Sequence, residues 1–149
     1  MTSKEKVLLR ERNRGRADAL EIQNKSSEMT GTELNAADDR IPSFKAACKN
    51  KNMIDRPVGF VCKSGAGRVV KLLQSYDSEI YTQEPEELSA QWGFVWSKDP
   101  TKALPFIALS TSPYMKDECC SENGNVYVSL FDNNTWAPSE HPTGWKLAE

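Results

Sequence analysis

The chain has few of the residues from which most metal and catalytic centres are built. Its 149 residues include one histidine and four cysteines, and Cys119 and Cys120 are adjacent. No CxxC pair occurs, and this spacing suits neither a zinc site nor a disulfide framework. We therefore expect free thiols that pack as small apolar side chains, with no metal and no cofactor.

Catalytic motifs are also absent from the sequence. No GxSxG, HExxH or P-loop pattern occurs. The one histidine, His141, stands in a proline-bearing loop, where a lone imidazole is usually solvated. Glu84, Glu86 and Glu87 are better explained as a solvated acidic loop than as a pair of glycosidase acids. The sequence predicts a protein that is not an enzyme.

Long apolar runs and strong net charge are missing as well. No stretch approaches the roughly 20 apolar residues of a membrane span, and the N-terminus has no signal-peptide core. The formal net charge is -2, and the arginines at alternate positions over 10–16 do not share a helix face. We expect no membrane insertion and no nucleic-acid binding, and folding in a cytoplasm.

What the chain does contain begins with a helical pattern over residues 3–29. Its apolar stripe is narrow and is carried by Leu8, Ile22 and Met29, spaced by multiples of seven. The stripe fits either a solvated helix lying against its own domain or a docking helix. We favour the second interpretation, with these three residues as contacts in a homo-oligomer such as a trimer. A short second helix is predicted over 43–52, after Pro42.

The periodicity changes after residue 56, where β-forming residues flank glycine turns. Two runs around residues 64–67 predict a hairpin, 105–109 is a further strand candidate, and NVYVSLF follows an Asn123-Gly124 turn. The predicted fold class is α+β: an N-terminal helical extension followed by one or two small antiparallel β modules. The predicted segments are 1–52 (helical assembly region), 56–104 (β-rich module) and 105–149 (terminal β module).

An internal echo links the two β-rich segments. Residues 67–92 and 124–145 share the same order of features: a glycine turn, a strand, a proline-bearing loop and a closing tryptophan, Trp92 or Trp145. Few residues are identical. The pattern indicates a duplicated small β module.

The terminal segment holds Trp136 and Trp145 on a loop stiffened by Pro138 and Pro142. A module of this size cannot bury both rings, so we expect one in the core and one partly exposed. The pattern Y-x(8)-N-G-x-x-Y, then W-x-P-S-x-x-P-x-x-W, resembles the chitin-binding modules of carbohydrate-binding module family 5/12. The matching residues are Tyr114, Asn123, Gly124, Tyr127, Trp136, Pro138, Ser139, Pro142 and Trp145.

This resemblance implies a role for each aromatic residue. Trp136, helped by Tyr127, would stack on a glycan of the chitin or peptidoglycan type. Trp145 would belong to the structural core of the module, together with Tyr114, Pro138 and Pro142.

As a whole, the chain is similar to small proteins encoded in the tail regions of phages and prophages of Gram-positive bacteria. The similarity rests on the N-terminal helix, on RPVGFVCKS and QWGF in the middle, and on the terminal DNNTWAPSEHPTGW. It implies a virion structural component of the tail, either baseplate or tail fibre, assembled in the host cytoplasm. Its partners would be other tail proteins and host cell-wall glycan. The alternatives are a free-standing glycan-binding module and a purely structural interaction protein.

Overall fold

A computed structural model describes residues 22–148. Within them, α1 spans Gly31–Ala36 and α2 spans Phe44–Asn50. The strands are β1 (Val61–Lys63), β2 (Val69–Leu72), β3 (Trp92–Phe94), β4 (Leu104–Pro105), β5 (Cys119–Glu122), β6 (Asn125–Ser129) and β7 (Trp145–Leu147). Single 3-10 turns occur at Ser26–Glu28, Asp38–Arg40, Met53–Asp55, Pro85–Glu87, Pro100–Lys102 and Pro142–Gly144.

Both helices begin at a side-chain cap. Thr30 and Glu33 form a reciprocal capping box at the start of α1. Ser43 accepts a hydrogen bond from the Ala46 amide at the start of α2, which then buries Phe44 and Ala47. The helix predicted over 43–52 is therefore present in shorter form.

The long helix predicted over residues 3–29 falls largely outside the described residues, and so does Leu8. Residues 22–25 are α-helical, Ser26–Glu28 form a 3-10 turn, and Met29 is extended. Ile22 is only 3% exposed and packs, with Leu34 and other residues, in the chain's own second apolar cluster. Met29 packs against the same cluster. Because Ile22 is buried in the chain's own core, it offers almost no surface to another copy, which corrects its predicted role. Met29 is only partly buried, so its contact with another copy stays a prediction.

Gln23 ties this N-terminal segment to the first sheet. Its amide Oε1 accepts from the Val61 backbone N–H at 2.8 Å, and its Nε2 donates to the Val61 carbonyl at 2.7 Å. The side chain thus supplies both hydrogen bonds that a neighbouring strand would make. The open edge of β1 is satisfied at this position, which discourages pairing with another chain.

The strands form two small sheets. The first has the order β1-β2-β3 and is antiparallel. The second has the order β4-β5-β6-β7, with β4 parallel to β5 and the other pairs antiparallel. The predicted α+β class is confirmed. The strand predicted over 105–109 reduces to β4, because pairing to β5 ends once Phe106 has donated to Ser121.

The two three-stranded units β1-β2-β3 and β5-β6-β7 share a strand register. Leu72 lies opposite Trp92 in the first unit, and Ser129 lies opposite Trp145 in the second. When the two units are aligned on these pairs, Cys62 of β1 takes the same position as Cys120 of β5. Both cysteines are fully buried. Gly67 and Gly124 then also coincide, both with positive φ at 88° and 82°. The echo in the sequence therefore has a counterpart in the strand pairing.

One aromatic cluster joins both sheets. The rings of Trp96 and Tyr114 stack at 4.4 Å between centroids and 13° between planes. Phe94 stacks on Trp96 at 5.8 Å, and Trp145 meets Tyr114 edge-on at 5.4 Å. Phe44 of α2 belongs to the same core. Segment 56–104 contains the first sheet, and segment 105–149 contains the second sheet except for Leu104 of β4. The two segments share this core.

We expect Trp96→Ala to destabilise both sheets together, because its ring stacks on Phe94 of β3 and on Tyr114, which in turn packs against Trp145 of β7. A buried tryptophan removed from a core costs about 3–5 kcal/mol. Chemical unfolding followed by circular dichroism should show one transition at lower denaturant. Leu73→Ala, at a position 47% exposed, is the control and should change stability little. Two separate transitions in the Trp96 variant would contradict a shared core.

Candidate functional site

Trp136 is the tryptophan that reaches the surface of the described structure. It lies in the loop between β6 and β7 and is 50% exposed, whereas Trp145 is 5% exposed. A large aromatic side chain left half in solvent is the kind of surface that binds ligands or partners. The backbone of the same residue is held firmly.

Two hydrogen bonds fix the backbone of Trp136. Its N–H donates to Asn134 Oδ1 at 3.3 Å, and its carbonyl accepts from Trp145 Nε1 at 2.8 Å. The buried tryptophan therefore anchors the exposed one. Because both bonds use backbone atoms of Trp136, neither of them depends on its indole ring.

Asn134 organises the whole loop. It is fully buried, and its Nδ2 donates to Ser129 Oγ and to the Gly144 carbonyl, both at 3.1 Å. Its backbone pairs in both directions with Tyr114, at 2.8 and 3.0 Å. The sequence offered only a polar turn, Asp132-Asn133-Asn134, and nothing there distinguishes the buried asparagine from its neighbours.

His141 and Phe131 extend the apolar area beside Trp136. The His141 ring lies 5.6 Å from that of Trp136 and 5.9 Å from that of Phe131. Gly144 makes room for them, since a Cβ there would come within 2.8 Å of both His141 and Phe131. We call these three residues, Phe131, Trp136 and His141, the aromatic surface.

A tight turn sets the position of His141. The Ala137 carbonyl accepts from the amides of Glu140 and His141, at 3.0 and 2.9 Å. The Ser139 amide donates to Glu122 Oε1 of β5 at 2.9 Å, which fastens the turn to the second sheet. The aromatic surface is thus built on ordered backbone, with exposed Glu140 at its border.

The other residues predicted for this module lie in different places. Tyr114 and Pro138 are buried. Pro142, expected in the core, is exposed, because it begins the 3-10 turn before Trp145 and only the following Gly144 is buried there. Tyr127, expected beside Trp136, is partly buried against the central core, on the strand position opposite Cys120.

Three of the four thiols, those of Cys62, Cys119 and Cys120, are buried and therefore poor nucleophiles, whereas Cys48 is partly exposed. All four cysteines are free. Burial raises the pKa of Cys119 to about 11 and that of Cys120 to about 12. Burial also raises the pKa of Cys48 and Cys62. Neutral thiols of this kind act as packing groups at physiological pH.

No group of three or more histidine, cysteine, aspartate or glutamate side chains in residues 22–148 is arranged to hold a metal ion. No helix in that part of the chain is both long and apolar enough to cross a bilayer.

Comparison with known protein families, curated proteins and solved structures gives no match to the chain.

We expect Asn134→Ala to lower stability by about 2–4 kcal/mol, because several buried hydrogen-bonding groups lose their partner. Thermal unfolding measures this loss, and exposure of Trp136 to a soluble fluorescence quencher should change as its loop loosens. Asn133→Gly is the matched control: Asn133 is exposed and has a φ of 58°, which glycine adopts freely. Equal stability of the two variants would show that Asn134 does not organise the loop.

Proposed function

We propose that the chain is a non-catalytic component of a phage-type tail, in which the aromatic surface contacts glycan on the host cell. The observation that carries the glycan contact is the half-exposed Trp136 ring on a backbone held by Asn134 and Trp145. A flat, pre-positioned aromatic face loses little entropy when a sugar ring stacks on it.

The chemistry of the surroundings supports a sugar rather than a charged polymer. The ring beside Trp136 is an imidazole, which combines an apolar face with polar nitrogens that hydroxyl groups can meet. The sequence resemblance to chitin-binding modules points the same way, because it assigns the sugar-stacking position to Trp136. A free-standing glycan-binding module remains the alternative setting for the same surface.

We expect Trp136→Ala to weaken binding to chitin beads and to isolated bacterial cell wall about tenfold or more, which corresponds to about 1.4 kcal/mol. The fold should survive, because the bond from Trp145 Nε1 reaches the backbone carbonyl. Pull-down together with thermal unfolding measures both effects.

Two further variants sharpen this test. Trp136→Tyr keeps a flat ring and should retain part of the binding. Leu130→Ala removes another exposed apolar side chain of the same loop, 41% exposed, and should bind like the parent. Unchanged pull-down by a folded Trp136→Ala protein would overturn the glycan proposal.

The assembly part of the proposal concerns residues that precede the described structure. Ile22 is buried in the chain's own core and Met29 is partly buried against it, so an oligomer contact of the predicted stripe would rest mainly on Leu8 and its neighbours. We expect removal of residues 1–21 to convert a trimer into a monomer while residues 22–148 keep their fold. Light scattering measures the mass and circular dichroism the fold. An unchanged mass would exclude this segment as the assembly element.

A further inference from the structure

A cavity of about 400 Å³ opens on the first sheet, apart from the aromatic surface. Three chain segments meet around it: the start of α2, the hairpin between β1 and β2, and the loop between β2 and β3. Its lining includes Phe44, Lys45, Cys48, Lys63, Thr82 and Glu84. Its volume lies within the range of small-molecule sites.

The loop that forms one wall is pinned at both ends. Near its start, Asn52 Oδ1 accepts from the Ser78 amide at 3.0 Å, and Asn52 Nδ2 donates to Asp77 at 2.9 Å. Near its end, Glu84 Oε1 accepts from the Gly65 amide at 2.7 Å. The cavity therefore exists before any ligand arrives, which lowers the entropic cost of binding.

Between these pins the loop presents two large side chains to solvent. Ile80 is 70% exposed and Tyr81 is 53% exposed. Tyr81 directly precedes Thr82, which lines the cavity. Thr82 gives this wall a hydroxyl group that can hydrogen-bond to a ligand, whereas Tyr81 is not part of the lining.

The charge of the lining selects the ligand. Lys45 and Lys63 both line the cavity, and neither has an ion-pair or hydrogen-bond partner for its ammonium group within residues 22–148. One carboxylate oxygen of Glu84, which also lines the cavity, already accepts a hydrogen bond from the Gly65 amide. Phe44 and Cys48 supply an apolar floor. The cavity is thus net positive, with apolar and hydroxyl-bearing walls.

We propose that this cavity binds a carboxylate-bearing sugar, with Lys45 and Lys63 facing the acid group and Phe44 and Thr82 facing the ring. Uncharged sugars of the same size lack the group that would satisfy the two ammonium ions. The cavity shares no residue with the aromatic surface, so this proposal can be tested independently of the glycan contact of Trp136.

N-Acetylmuramic acid and N-acetylglucosamine form a suitable probe pair, because they differ by one lactyl ether that carries a carboxylate. Calorimetric titration of the full chain should show binding of the acid and about tenfold weaker binding, or none, of the neutral sugar. Added salt should weaken the binding of the acid, since the lysines are accessible to solvent. Equal affinity for both sugars, or no binding of either, would overturn the proposal.

Chemical modification of Cys48 tests whether the ligand binds in this cavity. It is the one cysteine of the four that is partly exposed, and it lies in the cavity lining. N-Acetylmuramic acid should slow its modification by a maleimide at mildly alkaline pH, and N-acetylglucosamine should not. Binding seen by calorimetry without protection of Cys48 would place the ligand elsewhere and contradict the assignment.

Two variants test the role of the lysines. The double variant Lys45→Gln with Lys63→Gln should lower affinity for the acid about tenfold, and thermal unfolding shows whether it is folded. Lys49→Gln is the matched control, because Lys49 is exposed on α2 one turn beyond Lys45 and is not part of the lining. Parental affinity in a folded double variant, or an equal loss in the Lys49 variant, would refute the assignment.

Discussion

The stacked rings of Trp96 and Tyr114 hold this small protein together. The strands of the two sheets have two to five residues, and a sheet of that size is marginal in water without something to cover its face. The 4.4 Å stack belongs to the one apolar core that contains residues of both sheets. The ring of Trp96 is held in place because its Nε1 donates to the carbonyl of buried Ser112 at 2.9 Å. Trp145 of the second sheet meets Tyr114 edge-on.

This shared core explains why both candidate sites lie on equivalent loops. In each three-stranded unit the middle and last strands are joined by a long connection, over 73–91 in one and 130–144 in the other. Each connection is pinned by a buried or partly buried asparagine, Asn52 or Asn134, and each leaves one large aromatic ring exposed, Tyr81 or Trp136. Rigid strands that position variable loops are a common way to carry binding function. The two loops differ in chemistry, since a cavity with two lysines belongs to the first only.

Local features were predictable from the sequence and long-range ones were not. Glycine turns and β-forming residues predicted the hairpin around residues 64–67 and the strand after the Asn123-Gly124 turn, since these depend on neighbours in the chain. Module size predicted that only one of the two terminal tryptophans is in the core, and the resemblance to chitin-binding modules implied that this one is Trp145. The burial of Ile22 was not predictable, because its partners lie as far along the chain as the first sheet. The predicted burial of Pro142 was wrong, because the spacing of prolines constrains the backbone path and does not indicate whether a side chain is buried. The cavity could not be predicted from the sequence, because the three segments that line it are far apart in the chain.

The two proposed sites lie on one folded unit, and together they would bind a polymer more tightly than either would alone. A single sugar ring offers little area, so each site by itself would bind weakly. If one polymer reached both, the second contact would become intramolecular and the combined affinity would rise by about 10²–10⁴-fold. A flexible linker between two sites reduces this gain, whereas the two loops here extend from sheets that share one core. Selectivity would then come from the polymer's repeat, since only a glycan that places an acidic sugar and an unmodified ring at the separation of the two sites engages Lys63 and Trp136 together. The shared core that stabilises the fold would then also decide which spacing of sugar units the protein binds.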